Sequence, residues 1–308
     1  MRKLLLQLDS SRLPSVFDQV VAYDAGVDDI MSYGGVTEVD VRDLIHGCMF
    51  TRGPKDLHNT AVWIGGTNMS AGEQLLAMAQ DALFAPFSVS IMLDSNGSNT
   101  TAVAAVVKIE ETLGDLEGRK ILILAGTGPV GQRAAGLLAK DGAQVTITSR
   151  KLEQGEKARQ FINARFNVQV EAETLNDPSG LPELLQGVEV LLNSGPAGVQ
   201  MVPKSAWTGM RTLRVAVDLN AVPPLGIEGI DVDDAGVNRH GVIAFGAFGI
   251  GNFKTNLHKA CVARLFTRND LVLDAEEIAE IAREQVPNRE PVAKRQPVAR
   301  KELAAKKK

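Results

Sequence analysis

The chain is poor in the residues that carry several kinds of architecture and chemistry. It has two cysteines, Cys48 and Cys261, in no CxxC spacing. That leaves no disulfide framework, no thiolate zinc set and no sign of an oxidising compartment. Aromatics are 5% of 308 residues, so Leu, Val, Ile and Ala must fill the core, as in an α/β protein rather than a sandwich. No run approaches the roughly 18 apolar residues of a membrane span. The opening Met1-Arg2-Lys3-Leu4-Leu5-Leu6-Gln7-Leu8-Asp9 reaches polar residues too soon for a secretory signal and reads as a first strand. A cytoplasmic protein without membrane contact is the expectation.

Positive charge is also scarce outside one segment. Between Pro291 and Lys308, seven basic residues against Glu302 leave +6, so the rest of the chain carries −10 of the net −4. An acidic body speaks against nucleic-acid binding by a whole domain, and only the tail offers such contact. From Pro287 onward, large apolar side chains are almost absent, and the sequence predicts a solvated, mobile extension.

What is present is a rhythm of strand, turn and helix. Leu4 to Leu8, Thr60 to Ile64 and Ser88 to Leu93 read as strands with helices between them, and a helix from about Thr100 runs to Leu113. A second unit offers strands at Lys120 to Ala125, Gln144 to Thr148, Val168 to Glu171, Val188 to Asn193, Leu213 to Asp218 and Val242 to Phe245. Helices follow the first four. Such alternation predicts an N-terminal α/β domain with a parallel sheet, then a doubly wound Rossmann-like domain. A helix from Asn252 to Phe266 is expected to return to the first domain, followed by one over Asp274 to Glu284.

The sharpest motif is Gly126-Thr127-Gly128-Pro129-Val130-Gly131, which follows the apolar strand Ile121-Leu122-Ile123-Leu124 and opens a helix. In that context, Gly126 takes the tight turn, Gly128 lets backbone approach a pyrophosphate, and Gly131 allows close helix packing. Unpaired N–H groups at the helix start then face phosphate. The alternative is a glycine turn that merely joins two elements. After the next strand, where an NAD-selective site has an acid, stand Thr148-Ser149-Arg150-Lys151. Ser149 as donor, with Arg150 and Lys151 as cations, suits the 2′-phosphate of NADP, and nothing there forbids NAD. A solvated Arg-Lys pair is the plainer reading. At two further strand ends, Ser194 and Gly195 are expected beneath the nicotinamide ribose and Asn220 at the carboxamide or a neighbouring loop.

Several spaced runs carry a family resemblance. Pro14-Ser15-Val16-Phe17-Asp18, Leu93-Asp94-Ser95-Asn96-Gly97-Ser98-Asn99-Thr100, the glycine loop, Asn220-Ala221-Val222-Pro223-Pro224-Leu225-Gly226-Ile227 and Phe245-Gly246-Ala247-Phe248-Gly249-Ile250-Gly251 together resemble the methylene-tetrahydromethanopterin dehydrogenases of C1-oxidising bacteria. The likeness covers much of positions 1 to 285. It implies a pterin-binding domain over 1–114, completed by returning helices over 252–286, and an NAD(P)-binding domain over 115–251. The segment 287–308 has no counterpart.

The implied reaction oxidises N5,N10-methylene-tetrahydromethanopterin to the methenyl form in formaldehyde oxidation, with NADP or both NAD and NADP as acceptor. The architecture also resembles methylene-tetrahydrofolate dehydrogenases, in which a lysine serves chiefly an accompanying cyclohydrolase step. The resemblance places Lys254 near the pterin, in a positioning or hydrogen-bonding role. The plainer reading is a solvated lysine at a helix start.

Asp18, Asp94, Ser95, Asn96, Ser98 and Asn99 are candidates for reading the pterin edge, although loop capping explains each of them. Phe17 is either an apolar wall or core. His258 is expected to pack or to bind a backbone oxygen. A homo-oligomer is expected by frequency alone. Two alternatives stay open: a methylene-tetrahydrofolate dehydrogenase and a noncatalytic NADP-responsive binding protein.

Overall fold

The computed structural model describes residues 1–286; the basic segment 287–308 lies outside the described residues. In chain order the first elements are β1 (Leu4–Asp9), α1 (Val16–Asp24), β2 (Asp29–Gly34), α2 (Glu38–Met49), β3 (Thr60–Gly65), α3 (Met69–Ala82), β4 (Ser90–Leu93) and α4 (Ser98–Leu113). Next come β5 (Lys120–Leu124), α5 (Pro129–Lys140), β6 (Gln144–Ser149), α6 (Leu152–Phe166), β7 (Glu171–Thr174), α7 (Leu181–Leu184), β8 (Val190–Asn193), α8 (Lys204–Trp207) and β9 (Val215–Asp218). The described chain ends with β10 (Ala235–Arg239), β11 (Val242–Phe245), α9 (Ala247–Leu265), β12 (Val272–Leu273) and α10 (Ala275–Glu284).

Two sheets result. The first runs β12-β4-β3-β1-β2, and every pair in it is parallel. The second runs β10-β11-β9-β8-β5-β6-β7. It is parallel except for the antiparallel β10–β11 pair. Strands β3, β4, β8 and β9 are buried along their whole length, which is why they read as continuous apolar runs with helices on both faces.

Five departures from the sequence reading stand out, the first being β2, an edge strand not expected as one because every residue in it but Ile30 is exposed. The third strand of the second unit is Glu171–Thr174 rather than Val168 to Glu171. Asn167 closes α6 in the left-handed region, and its neighbour Asn163 holds the Val170 N–H at 2.8 Å, so Val168 to Val170 form the approach to the strand. Strand β10 adds a seventh member to that sheet. The two-residue β12 extends the first sheet. Helix α9 starts at Ala247 rather than Asn252. Its glycines suggest a loop, but the Gly246 N–H bonds the Asp234 carbonyl and those of Phe248 and Gly249 bond Val232.

The two layers are pinned together at α4, α5, α9 and α10. Arg133 on α5 is 4% exposed; its Nε donates to Asn99 Oδ1 at 3.2 Å, and its guanidinium pairs with Glu73 of α3. Arg283 on α10 pairs with Glu110 of α4 and with Asp141 at the end of α5. Arg165 on α6 pairs with Asp274 and Glu276.

Candidate active site

In an open α/β sheet, ligands bind outside the carboxyl ends of the strands, at the point where strand order reverses. Each sheet here has one such point. In the second sheet it lies between β5 and β8, where the glycine loop follows Leu124 and Ser194 follows Asn193. A Cβ on Gly126 would stand 2.7 Å from Ile147 Cβ, and one on Gly131 would stand 2.6 Å from Gly126 Cα. Both glycines are therefore required by packing. Gly128 differs, since its nearest neighbour would be the Ala125 carbonyl at 4.0 Å.

That open side faces the start of α5, where Gly128 is the N-cap without a side-chain cap and Pro129 follows. The unpartnered N–H groups and the space over Gly128 fit a pyrophosphate. Thr127 and Val130 are half-buried beside it. The Ser194 hydroxyl donates to the Leu124 carbonyl at 2.9 Å, tying the two loops of the crevice together.

Beyond β6, Ser149 is buried while Arg150 and Lys151 are exposed. The Ser149 hydroxyl oxygen accepts from the Lys151 N–H at 3.3 Å, which leaves its proton free to donate. Gly195 is held by a bond from its N–H to Asn193 Oδ1 at 3.1 Å. Asn220 is buried, and its side chain braces loops: Oδ1 accepts from the Gly198 and Val222 N–H groups, and Nδ2 donates to the Pro224 carbonyl. The sequence left a choice between carboxamide contact and loop support, and these bonds are loop support.

In the first sheet the reversal lies between β1 and β3. A cavity of about 320 Å³ opens there, lined by Asp9, Ser11, Phe17, Asp18, Asn96 and Lys254, among others. Asp9 ends β1 and is buried, accepting from the Ser11 and Ser15 N–H groups at 2.7 and 3.1 Å. Ser11 and Thr67 join across the reversal, 3.1 Å between hydroxyl oxygens. Neither these residues nor Asp9 was singled out in the sequence; an acid at a strand's carboxyl end was the available signal.

Ser15 caps α1 by accepting from the Asp18 N–H at 3.2 Å, which orients the first turn and sets Asp18 toward the cavity. Burial, helped by nearby Asp94, pushes the Asp18 carboxyl up to about 7 against the pull of Ser15 and Lys254. Phe17 is 52% exposed, and the Lys254 Nζ stands 4.7 Å from its ring centroid. Phe17 is thus cavity wall rather than core. Lys254 is half-buried and well inside α9, a correction to its expected place at a helix start. A Cβ on Gly97 would come within 3.2 Å of its Nζ.

The loop after β4 is divided in its roles. Asn96 lines the cavity in a left-handed conformation, φ 56°. Asp94 is buried, and both its oxygens accept from Thr100, Oδ1 from the N–H at 3.1 Å and Oδ2 from the hydroxyl at 2.6 Å. Burial raises its carboxyl above the ordinary range, opposed by Lys254 and Thr100.

Ser95, Ser98 and Asn99 turn inward, against the expectation that they read the pterin edge directly. Ser95 donates to the Gly65 carbonyl at 2.9 Å, Ser98 bonds the Ser95 carbonyl and Met69, and Asn99 Nδ2 donates to Leu93 and Asp274. His258 packs on Trp63, with ring centroids 4.4 Å apart, and neither ring nitrogen has a hydrogen-bond partner. Burial, then the Lys254 charge, hold its pKa well below 6.5, so the ring is neutral.

Helix α9 leads from the second sheet to the cavity of the first. It starts where β11 ends in the second sheet, and Lys254 lies about 10 Å along it at 1.5 Å per residue.

The chain is similar to several known proteins. A family model described as "Methylene-tetrahydromethanopterin dehydrogenase, N-terminal" matches residues 16–96. The "Bifunctional protein MdtA" of Methylorubrum extorquens is 45% identical over 284 residues, covering 92% of this chain and 99% of that one. The "NAD(P)-dependent methylenetetrahydromethanopterin dehydrogenase" of the same organism is 31% identical over 292 residues, covering 92% of this chain and 98% of that one.

The chain belongs to the methylene-tetrahydromethanopterin dehydrogenase family.

The fold of this family member is also similar to that of quinate dehydrogenase from Corynebacterium glutamicum. The match has a TM-score of 0.54 at 13% identity and covers 92% of this chain and 99% of that one. For shikimate 5-dehydrogenase from Listeria monocytogenes the TM-score is 0.52 at 15% identity, with 91% and 96% covered. Among the described residues, no helix is long and apolar enough to cross a membrane.

Proposed function

We propose that this chain catalyses reversible hydride transfer from N5,N10-methylene-tetrahydromethanopterin to NAD(P), giving the methenyl form. The observation that carries this reading is a strand-order reversal in each of two sheets, one with the glycine loop and one with the cavity, in a chain 31% identical to a protein named for NAD(P)-dependent dehydrogenation of that pterin. When bound, NAD(P) supplies the hydride-accepting ring.

The protein's own part is binding and placement. The N–H groups at the start of α5 and the open face of Gly128 hold the pyrophosphate, with Thr127, Pro129 and Val130 shaping the turn. Ser149, Arg150 and Lys151 meet the 2′-phosphate of NADP. Ser194 and Gly195 form the floor beside the ribose, on a loop braced by Asn220. Residues 115–251 serve as the NAD(P) domain, and residues 1–114 with 252–286 serve as the pterin domain.

On the pterin side, Asp18 and Asn96 offer donors and acceptors to the heterocycle edge, and Phe17 supplies an apolar wall. Lys254 fixes orientation by hydrogen bonding rather than by standing over the reacting carbon, because an ammonium there would oppose the methenyl cation. Loss of hydride from a carbon between two nitrogens gives a delocalised cation and requires no general base. The rate then comes from alignment and from exclusion of water.

The experiment is reduced-cofactor absorbance with NADP or NAD, crossed with methylene-tetrahydromethanopterin or methylene-tetrahydrofolate. Turnover with the methanopterin substrate is expected, with NADP used well. Binding of NADP without turnover on either pterin overturns the catalytic reading.

A further inference from the structure

A buried ion pair adds little to stability over a well-packed apolar contact, and its fixed geometry suits it better to setting the register of two elements. Two arginines make such pairs where α4 packs on α5, and they do so at opposite ends. Arg283, from α10, pairs with Glu110 near the end of α4 and with Asp141 just past α5. Arg133 stands two residues past Gly131 and meets Asn99 near the start of α4 and Glu73 of α3. From Asn99 to Glu110 the separation along α4 is roughly 16 Å at 1.5 Å per residue.

The surroundings of Arg133 lead to both candidate ligand sites. Its own helix begins at the glycine loop, with Gly128 as N-cap. Asn99 is buried directly behind the loop whose Asn96 lines the cavity, and its Nδ2 holds the Leu93 carbonyl at 2.7 Å. Glu73 follows Gly72, where an added Cβ would collide with Ser95 of that same loop. Both partners of the guanidinium thus pack against the segment that follows β4. Phe161 of α6 lies over it, with the ring centroid 6.0 Å from Cζ. The partners of Arg283 lie at the ends of α4 and α5 that point away from the glycine loop and the β4 loop.

We infer that Arg133 is a positioning residue for hydride transfer, setting the gap between the start of α5, where the pyrophosphate binds, and the β4 loop, which walls the pterin. The inference rests on the dehydrogenase reading above. A guanidinium suits this part because it is planar, always charged and presents its donors in a fixed fork. Nε is held by Asn99 and the outer nitrogen by Glu73, so the group cannot slide without breaking a buried bond. Hydride transfer needs the two carbons at near contact, and a displacement of about 1 Å costs about a hundredfold in rate. Arg133 does not line the cavity. Without it, the dinucleotide still meets the glycine loop, and the pterin still meets Asp18, Asn96 and Lys254. What changes is the distance between the two reactants.

The test compares Arg133→Met with Arg283→Met in the full chain. Both should melt below the wild type, since each leaves buried partner atoms unpaired. NADP affinity, measured by titration, is expected to be kept in both. The contrast is in kcat with NADP and methylene-tetrahydromethanopterin saturating: about tenfold to a hundredfold lower for Arg133→Met, and unchanged for Arg283→Met. Deuterium on the methylene carbon gives a second readout. Loss of folded enzyme slows turnover at the wild-type isotope effect, whereas a longer transfer distance raises the effect on kcat, as expected for Arg133→Met.

A wild-type kcat in Arg133→Met overturns the inference, as does an equal fall in the two arginine variants. So does a lower kcat at the wild-type isotope effect, or a loss of NADP affinity, which would make Arg133 a support of the glycine loop alone. A wild type that turns over no methylene-tetrahydromethanopterin overturns the dehydrogenase reading as well. If Arg133→Met fails to fold, Glu73→Ala decides by the same measurements.

Discussion

Nε2 of His258 lies 3.5 Å from Oδ2 of Asp94, with both side chains closed to solvent. The two are neighbours of unequal standing. Asp94 is held by both the N–H and the hydroxyl of Thr100, whereas the neutral imidazole has no hydrogen-bond partner on either nitrogen. An unpaired buried polar group costs stability, so an apolar residue of similar size should replace it at little loss. His258→Leu is expected to stay within about 1 kcal/mol of the wild type. Asp94→Ala strips two buried donors of their acceptor and should cost about 1 to 3 kcal/mol or more. Urea unfolding of the two variants measures both.

Asp18 gives the pH dependence a sign. Its folded carboxyl titrates near 7 instead of 3.8, mainly because it is buried. A raised pKa means that the neutral form favours the fold below about 4, and that this advantage is lost as the pH rises through about 7. Asp18→Asn cannot ionise. Its Tm relative to the wild type should therefore climb between acid and neutral pH and level off above 8. A constant Tm difference across that range would refute the assignment.

Lys254→Met keeps the aliphatic stem against Phe17 and removes the charge that faces Asp18, Asp94 and His258. The expected result is a fall of about tenfold to a hundredfold in kcat/KM for the pterin, with NADP affinity unchanged. An unchanged kcat/KM would rule out a part for Lys254 in positioning the pterin.

Arg150→Ala should separate the two nicotinamide cofactors. Only NADP carries the 2′-phosphate, and a charge-assisted hydrogen bond to it is worth about 1.5 to 3 kcal/mol. Titration should show NADP affinity falling by about tenfold or more while NAD is spared. Equal losses for both would mark a structural arginine.

The glycine loop allows a sharper contrast. A methyl on Gly131 meets Gly126 at 2.6 Å and the Ser194 hydroxyl at 2.7 Å, while one on Gly128 meets nothing nearer than 4.0 Å. Gly131→Ala is therefore expected to lower Tm. Gly128→Ala should keep the Tm of the wild type and lose NADP affinity, because its added methyl occupies space that the pyrophosphate needs. Melting curves with and without NADP distinguish the two.

The strands that were legible in the sequence are those buried on both faces, such as Ile121 to Leu124 and Val215 to Val217, where apolar runs admit one reading. Strands β10 and β12 were not, because Ala235 to Arg239 is exposed along an edge and Val272–Leu273 is too short to show a period. The start of α9 was hidden by Gly246, Gly249 and Gly251. Their placement depends on carbonyls of Val232 and Asp234, which are distant in sequence. In the candidate site, the glycine loop announced itself through its flanking strand and helix. The inward turn of Ser95, Ser98 and Asn99 did not, because polar side chains facing a ligand and polar side chains facing backbone look alike in a sequence. Asp9, Ser11 and Thr67 come together only through the parallel pairing of β1 with β3.

Asn99 stands where the two halves of the protein meet. Its amide holds the end of β4 and Asp274, and its oxygen receives Arg133 from the helix that begins at the glycine loop. Any displacement of that helix would be passed through these bonds to the strand end that leads into the cavity lined by Asp18 and Lys254. Linkage makes such a tie reciprocal: whatever factor NADP adds to the affinity for pterin, pterin adds to the affinity for NADP. The order in which the two reactants arrive then alters the path but not the free energy of the ternary complex.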